Sequence, residues 1–206
     1  MLYDFLLQHY VAGEPIFISD IEIRGISDVN LRQQFKLLTD SKKLARYEYG
    51  IYYIPKKTRL NGGGAPSADT VAFYKYISRR DHVTGYYSGH TFANQLGLST
   101  QVPRKVEIVS NNIAAKKREI SIGRQTYIVR KAGITVTKEN YRILQLLDLL
   151  KNLDQYIDNK DEASNRLTEY VKHCNIRRMD IDRYISGYPD TTYRYFYEMR
   201  LEYVLA

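Results

Sequence analysis

Residues 59–67, RLNGGGAPS, restrict this chain more than any other stretch. Gly62, Gly63 and Gly64, followed by Pro66, cannot continue a helix or a central strand. The run reads as a flexible linker over 61–66 that separates two parts with cores of their own, 1–60 and 67–206. A chain of 206 residues is long enough for that division. Cys174 is its only cysteine, so an internal disulfide and a cysteine-built zinc site are both excluded, and a reducing, cytoplasmic setting is expected. No apolar run reaches the length of about 18 residues that a membrane span requires. The N-terminal MLYDFLLQHYVAGEP lacks the charged and apolar regions of a signal peptide.

The first part has a legible order. Leu2, Phe5, Leu6, His9 and Tyr10 fall on one helical stripe, and Gly13 stands where that helix should stop. PIFIS, residues 15–19, reads as a short extended segment. Ser19-Asp20 then offers an N-cap for a short helix ending before Gly25. A longer helix follows, capped by Ser27 or Asp28. Its apolar face is Leu31, Phe35 and Leu38, and its polar face carries Asn30, Arg32, Gln33 and Lys36. LARYEYGIYYIP, residues 44–55, makes a hairpin with strands 44–47 and 51–54 and a turn at Tyr49-Gly50. Two helices, a longer third helix and a tyrosine-rich hairpin give the layout of a winged helix-turn-helix. Asn and Gln can read adenine edges, Arg can read guanine, and Lys36 and the basic residues flanking the hairpin, Lys42, Lys43 and Arg46, can meet backbone phosphates. The same layout also serves in protein-interaction modules that bind no DNA.

Charge is unevenly spread. Lys and Arg total 31 against 23 acidic residues, a net charge of +8, and residues 61–140 alone carry 12 basic and 5 acidic residues. A basic surface suits a polyanion, although charge also serves solubility. KKRE at 116–119 is the densest run, with Arg104, Lys105, Arg124, Arg130 and Lys131 around it. It is either a solvated hairpin loop or a second DNA contact made by Arg104, Lys105, Lys116, Lys117 and Arg118. The 20 tyrosines do not discriminate, because tyrosine serves stacking, interfaces and half-buried positions alike.

The second part begins with a helix capped by Ser67 or Asp69 and running through TVAFYKYISRR. A short helix follows from Ser88 to Leu96, closed by Gly97. RKVEIVS, REISIGRQTYIVR and GITVT alternate like short strands, with Gly123 at a turn, and suggest a small antiparallel meander over about 105–137. From about 138 to 205 the pattern is helical, with Tyr141, Leu144, Leu147 and Leu150 or Lys151 recurring on one face. The fold class is α+β: an N-terminal winged helix-turn-helix joined to a C-terminal mixed domain with a small antiparallel sheet and several helices.

Residues suited to catalysis are sparse. The chain has no GxxxxGK[ST] phosphate loop, no GxGxxG after a strand and no HExxH. NGGGAP lacks both the preceding strand and the following Lys-Ser/Thr. His82 and His90 have no cysteine or acidic residue at ligand spacing. His173 and Cys174 are helical neighbours that point about 100° apart, which is unsuitable for a nucleophile and its base. Asp180 and Asp182 read as salt-bridge partners rather than a metal pair. The chain is expected to be no enzyme and to hold no metal or cofactor.

The winged helix ending in LARYEYGIYYIP, followed by GYYSGHTFANQLGLSTQVPRKVEIVS at 85–110, resembles the AbiEi-type antitoxins of type IV toxin–antitoxin and phage abortive-infection systems. The likeness runs from residue 1 to about 200. It rests on the hairpin, a small-residue helix, the LGLSTQVP exit and the strand after it. The resemblance implies an autorepressor that binds promoter inverted repeats through Asn30, Arg32, Gln33, Lys36, Lys42, Lys43 and Arg46. It also implies a second domain that counters a nucleotidyltransferase-like toxin without forming a stable complex. With no long coiled-coil seam, a monomer in solution with two copies on the operator is expected. Two other readings compete: a ligand-responsive winged-helix transcription factor, and a nuclease fused to a DNA reader. The nuclease would need an acidic cluster, and the acidic residues are scattered.

Overall fold

The computed structural model describes residues 2–56 and 64–205. The chain packs as two compact units, Met1–Val71 and Ala72–Ala206. Of the expected linker, residues 61–63 lie outside the described residues. The architecture is mixed α+β, with eight α-helices and three small sheets among the described residues.

In the first unit, α1 (Leu2–His9) is followed by β1 (Ile16–Phe17), a 3₁₀ turn at Ile18–Asp20, α2 (Asp28–Asp40), β2 (Ala45–Glu48) and β3 (Ile51–Tyr53). The three strands form an antiparallel sheet in the order β1-β3-β2. Leu2, Leu6 and Tyr10 of the first stripe are buried, whereas His9 lies outside it, exposed and stacked on Phe5. The short helix expected before Gly25 is reduced to the 3₁₀ turn. Isoleucines at 18, 21 and 23 are β-branched and poor helix formers, and Ile21 is buried in this core from an extended backbone. Ser27 caps α2, its hydroxyl accepting from the Asn30 amide. In the hairpin, Glu48 pairs with Ile51 around Tyr49-Gly50, and Gly50 has φ +77°. That positive φ favours glycine in a two-residue hairpin loop.

The second unit takes up most of α3 (Ala68–Tyr76), whose cap is the Ser67 hydroxyl accepting from the Thr70 amide. The helix ends sooner than ISRR suggests. Ser78–Arg79 (β4) and His82–Val83 (β5) form a minute hairpin with Arg80 at φ +53°. Then come β6 (Gly85–Tyr87), α4 (Gly89–Gln95), β7 (Val106–Ser110), β8 (Lys117–Ile122) and β9 (Gln125–Lys131). Their sheet has the order β6-β7-β9-β8. Its outer pairs are antiparallel, but β7 and β9 run parallel, so the expected meander is corrected to a mixed sheet. GITVT forms no strand. Its Val136 is held instead at both N–H and C=O by the side chain of Asn111, and the Thr137 amide donates to Asn140. Side-chain amides thus do the work of a ladder.

The remaining helices are α5 (Tyr141–Leu150), α6 (Lys160–His173), α7 (Arg178–Tyr184) and α8 (Asp190–Glu198). On α5, Leu144, Leu146, Leu147, Leu149 and Leu150 are all buried, so the single stripe expected from Tyr141, Leu144 and Leu147 widens to most of the circumference. The apolar core joins α4, α5, α6, α7 and α8.

Gly85 is where backbones meet most closely. A Cβ there would overlap the carbonyl oxygens of both Tyr76 and Val109. The neighbouring Ser110 hydroxyl donates to the Tyr76 carbonyl at 2.6 Å, binding the end of α3 to β7. Gly85→Ala is expected to cost about 3 kcal/mol or more in urea unfolding, because backbone rather than a side-chain tip must move. Gly133→Ala, with nothing within 4 Å of the added carbon, is the control and should stay within about 0.5 kcal/mol of the parent.

Candidate nucleic-acid interface

Burial of Leu31 and Phe35 fixes how α2 lies on the first unit. Phe35 is fully buried and meets the ring of Tyr52 from β3, with centroids 4.8 Å apart. With one face committed, Asn30, Arg32, Gln33 and Lys36 are all exposed, as their helical positions predict. Asn30 accepts a hydrogen bond from the Gln34 amide at 3.0 Å, which orients it along the helix. Arg32, Gln33 and Lys36 have no side-chain partner among the described residues, leaving their donors for a ligand.

The chain leaves α2 through Ser41 and Lys42, with the Ser41, Lys42 and Lys43 amides returning to carbonyls of the last turn. Lys42 has φ +59°, a conformation that glycine adopts far more readily. A lysine there places a charge at the exit of the helix at some cost in strain. The Lys43 ammonium lies over the Tyr3 ring at 5.2 Å, a cation–π contact that holds it beside α1. Arg46, on β2, is exposed and pairs across the ladder with Tyr52. The tyrosines of the hairpin divide. Tyr52 packs inward, while Tyr49 at the tip is 88 % exposed. Tyr47 is half-buried, and desolvation, helped by the Glu48 charge, pushes its hydroxyl pKa above the ordinary value. The hairpin thus carries one solvent-open aromatic ring at its tip, next to basic flanks.

In the second unit, the five basic residues read as a secondary contact separate into two groups. Arg104 and Lys105 precede β7. Lys105 is paired with Glu119 at 2.7 Å, and the Arg104 carbonyl accepts from Gln125. Lys116, Lys117 and Arg118 lie at the start of the edge strand β8, all exposed, and Lys117 sits opposite Arg130 in the ladder. Charged residues on an edge strand also discourage strand addition.

Lys116 and Lys117 border a cavity of about 870 Å³ that no local sequence pattern announces. In its lining the Arg130 guanidinium donates to Asp148 at 2.8 Å, and it also donates to Ser88 at 3.3 Å. The Arg130 and Asp148 side chains are 31 % and 10 % exposed. Burial works against the Arg130 charge, but Asp148 outweighs it and holds the arginine above its ordinary pKa. Tyr86 and Tyr188, lining the same cavity, are pushed above the usual tyrosine range by burial and then by the Asp148 charge, so both stay protonated. Residues from β6, β9, α5 and the turn before α8 meet here, a convergence that only the packed chain creates.

The other residues with chemical potential have structural settings. The Glu107 carboxylate accepts from the His90 amide at the start of α4, and the His90 ring packs edge-on against Tyr156. Asp180 accepts from the Arg177 amide and guanidinium, and Asp182 pairs with Arg178. Both are ion pairs, as expected. His82 and His173 are exposed and Cys174 is half-buried. No group of three or more His, Cys, Asp or Glu is placed to hold a metal ion among the described residues.

One family, DUF6088, described as a family of unknown function, matches residues 6–179. The chain belongs to this family. The match runs through both compact units, from α1 into α7, so the combination of the two is a property of the family and not of this chain alone. A search of curated proteins gave no match.

Two measurements test these local assignments. Lys42→Gly should raise stability by roughly 0.5–1 kcal/mol in urea unfolding, since glycine relieves the left-handed strain. Arg130→Met should lower stability by about 3 kcal/mol by stranding the Asp148 carboxylate, and adding Asp148→Leu should recover most of that loss.

Proposed function

We propose that the first unit is a winged helix-turn-helix that binds double-stranded DNA, with α2 in the major groove and the β2–β3 hairpin as its wing. The observation that carries this reading is the polar face of α2. Asn30, Arg32, Gln33 and Lys36 stand exposed on a helix whose opposite side is locked by Leu31 and Phe35. The sheet order β1-β3-β2 and the basic residues Lys42, Lys43 and Arg46 beside the hairpin support it further. Arg32 and Gln33 read base edges, while Lys42, Lys43 and Arg46 meet phosphates and set register.

On this reading the chain is a cytoplasmic, non-enzymatic antitoxin and autorepressor of the AbiEi type. Two copies, each monomeric in solution, occupy inverted repeats in their own promoter. The second unit counters a nucleotidyltransferase-like toxin without a stable complex. No helix among the described residues is long and apolar enough to cross a membrane. A second reading, a ligand-responsive winged-helix transcription factor with no toxin, is favoured by the cavity between the sheet and helices of the second unit. A nucleotidyltransferase gene immediately downstream would separate the first from the second.

The test is a gel-shift titration of the full chain on DNA from upstream of its own gene, beside a scrambled duplex, at low and high salt. Autorepression predicts two stepwise complexes on the native DNA only. Arg32→Ala and Gln33→Ala should each cut the preference for native over scrambled DNA by about tenfold. Lys43→Ala should weaken both duplexes alike and lower the salt slope by about one. Equal, salt-sensitive binding to both duplexes would sink the autorepressor reading. Identical effects of Arg32→Ala and Lys43→Ala on the two duplexes would sink the division of roles.

A further inference from the structure

We infer that the cavity of the second unit is a binding site for a nucleotide, with phosphates held by its lysines and the base and sugar against its apolar wall. Five cations, Lys116, Lys117, Arg130, Lys131 and Lys151, line it against a single carboxylate, Asp148. Asp148 is already spent on Arg130. None of the four lysines is in an ion pair among the described residues, so the residues lining the cavity keep a net charge of about +4. Like charges gathered around one concavity repel one another, and a multiply charged anion removes that repulsion while entering. Lysines act as mobile point charges and suit the several oxygens of a di- or triphosphate.

Charge alone would also accept inorganic phosphate, but the cavity has a second character. Val109, Ile134, Leu144, Tyr188 and Pro189 supply an apolar wall, with the protonated hydroxyls of Tyr86 and Tyr188 among them. The Tyr188 hydroxyl bonds back to the Leu144 carbonyl at 3.4 Å, which fixes its ring. A volume of about 870 Å³ lies within the range of small-molecule sites and far exceeds what a lone phosphate fills. A cationic rim, a fixed aromatic wall and this volume together describe a nucleoside di- or triphosphate. The inference stands on the second unit alone and does not depend on the DNA reading of the first.

The experiment is isothermal titration of the full chain at near-physiological salt with ATP, GTP, CTP and UTP in turn, and with adenosine and inorganic pyrophosphate as the two halves of the ligand. At least one nucleotide should bind with a Kd of roughly 100 µM or tighter, and at least tenfold more tightly than either half. The double variant Lys117→Glu/Lys151→Glu, at positions outside the apolar core, should weaken that nucleotide by about tenfold or more with an unchanged melting temperature. An excess of scrambled duplex DNA should leave nucleotide binding in place. The inference is overturned if no nucleotide binds at about 1 mM, if pyrophosphate binds as tightly as any nucleotide, or if duplex DNA displaces the nucleotide.

Discussion

Helix α5 is withdrawn from water around most of its circumference, and the second unit is arranged to cover it. Leu144, Leu146, Leu147, Leu149 and Leu150 are each at most 1 % exposed. An α-helix that is apolar on nearly every side has no stable place on a surface. The sheet strand β6 and helices α4, α7 and α8 therefore close around it. Burial of that extent makes the one carboxylate of the helix expensive. Asp148 needs a cation, and Arg130 at the end of β9 supplies it while also reaching Ser88 at the start of α4. One ion pair thus ties the sheet, the small-residue helix and the central helix together, and both of its members line the cavity beside them.

Other polar groups near α5 are handled in the same way. Gln145 is buried, donates to the Tyr87 carbonyl at 2.7 Å and accepts from the Tyr170 hydroxyl at 3.2 Å. Burial pushes the Tyr170 pKa upward, so the hydroxyl remains a donor. Each bond compensates the desolvation of its partners and fixes the register of one element against the next. The first unit works on a smaller scale with the same logic. Leu31, Phe35 and Tyr52 commit one side of α2 and one side of the hairpin, and the polar groups left outside form the proposed DNA face.

Local order was readable wherever local interactions decide it. Helix α2 announces itself through the Ser27 cap and the spacing of Leu31, Phe35 and Leu38. The hairpin follows from Tyr49-Gly50 between alternating runs, and the end of α4 from Gly97, which has φ +71°. Exposure of Asn30, Arg32, Gln33 and Lys36 follows from the same helical period. Those features depend on neighbours within four residues, which is the range a sequence pattern reports.

The parallel ladder of β7 and β9 was not readable, because period-two alternation marks a strand without naming its partner or direction. GITVT alternates like a strand, yet Asn111, some 25 residues away, satisfies its backbone in place of a neighbour. At α4 the amide cap comes from Glu107 on β7, while Ser88, the local candidate, turns to Arg130. The cavity has the same origin: Lys117, Arg130, Lys151 and Tyr188 are spread over more than 70 positions and share a wall only after α5 is buried. The sequence by itself determined the longer helices, the hairpin, the excess of positive charge and the polar face of α2, since each rests on contacts along the chain. Tertiary structure decided strand direction, the partner of Asp148 and the gathering of lysines around one opening, since each rests on which distant segments the burial of apolar surface brings together.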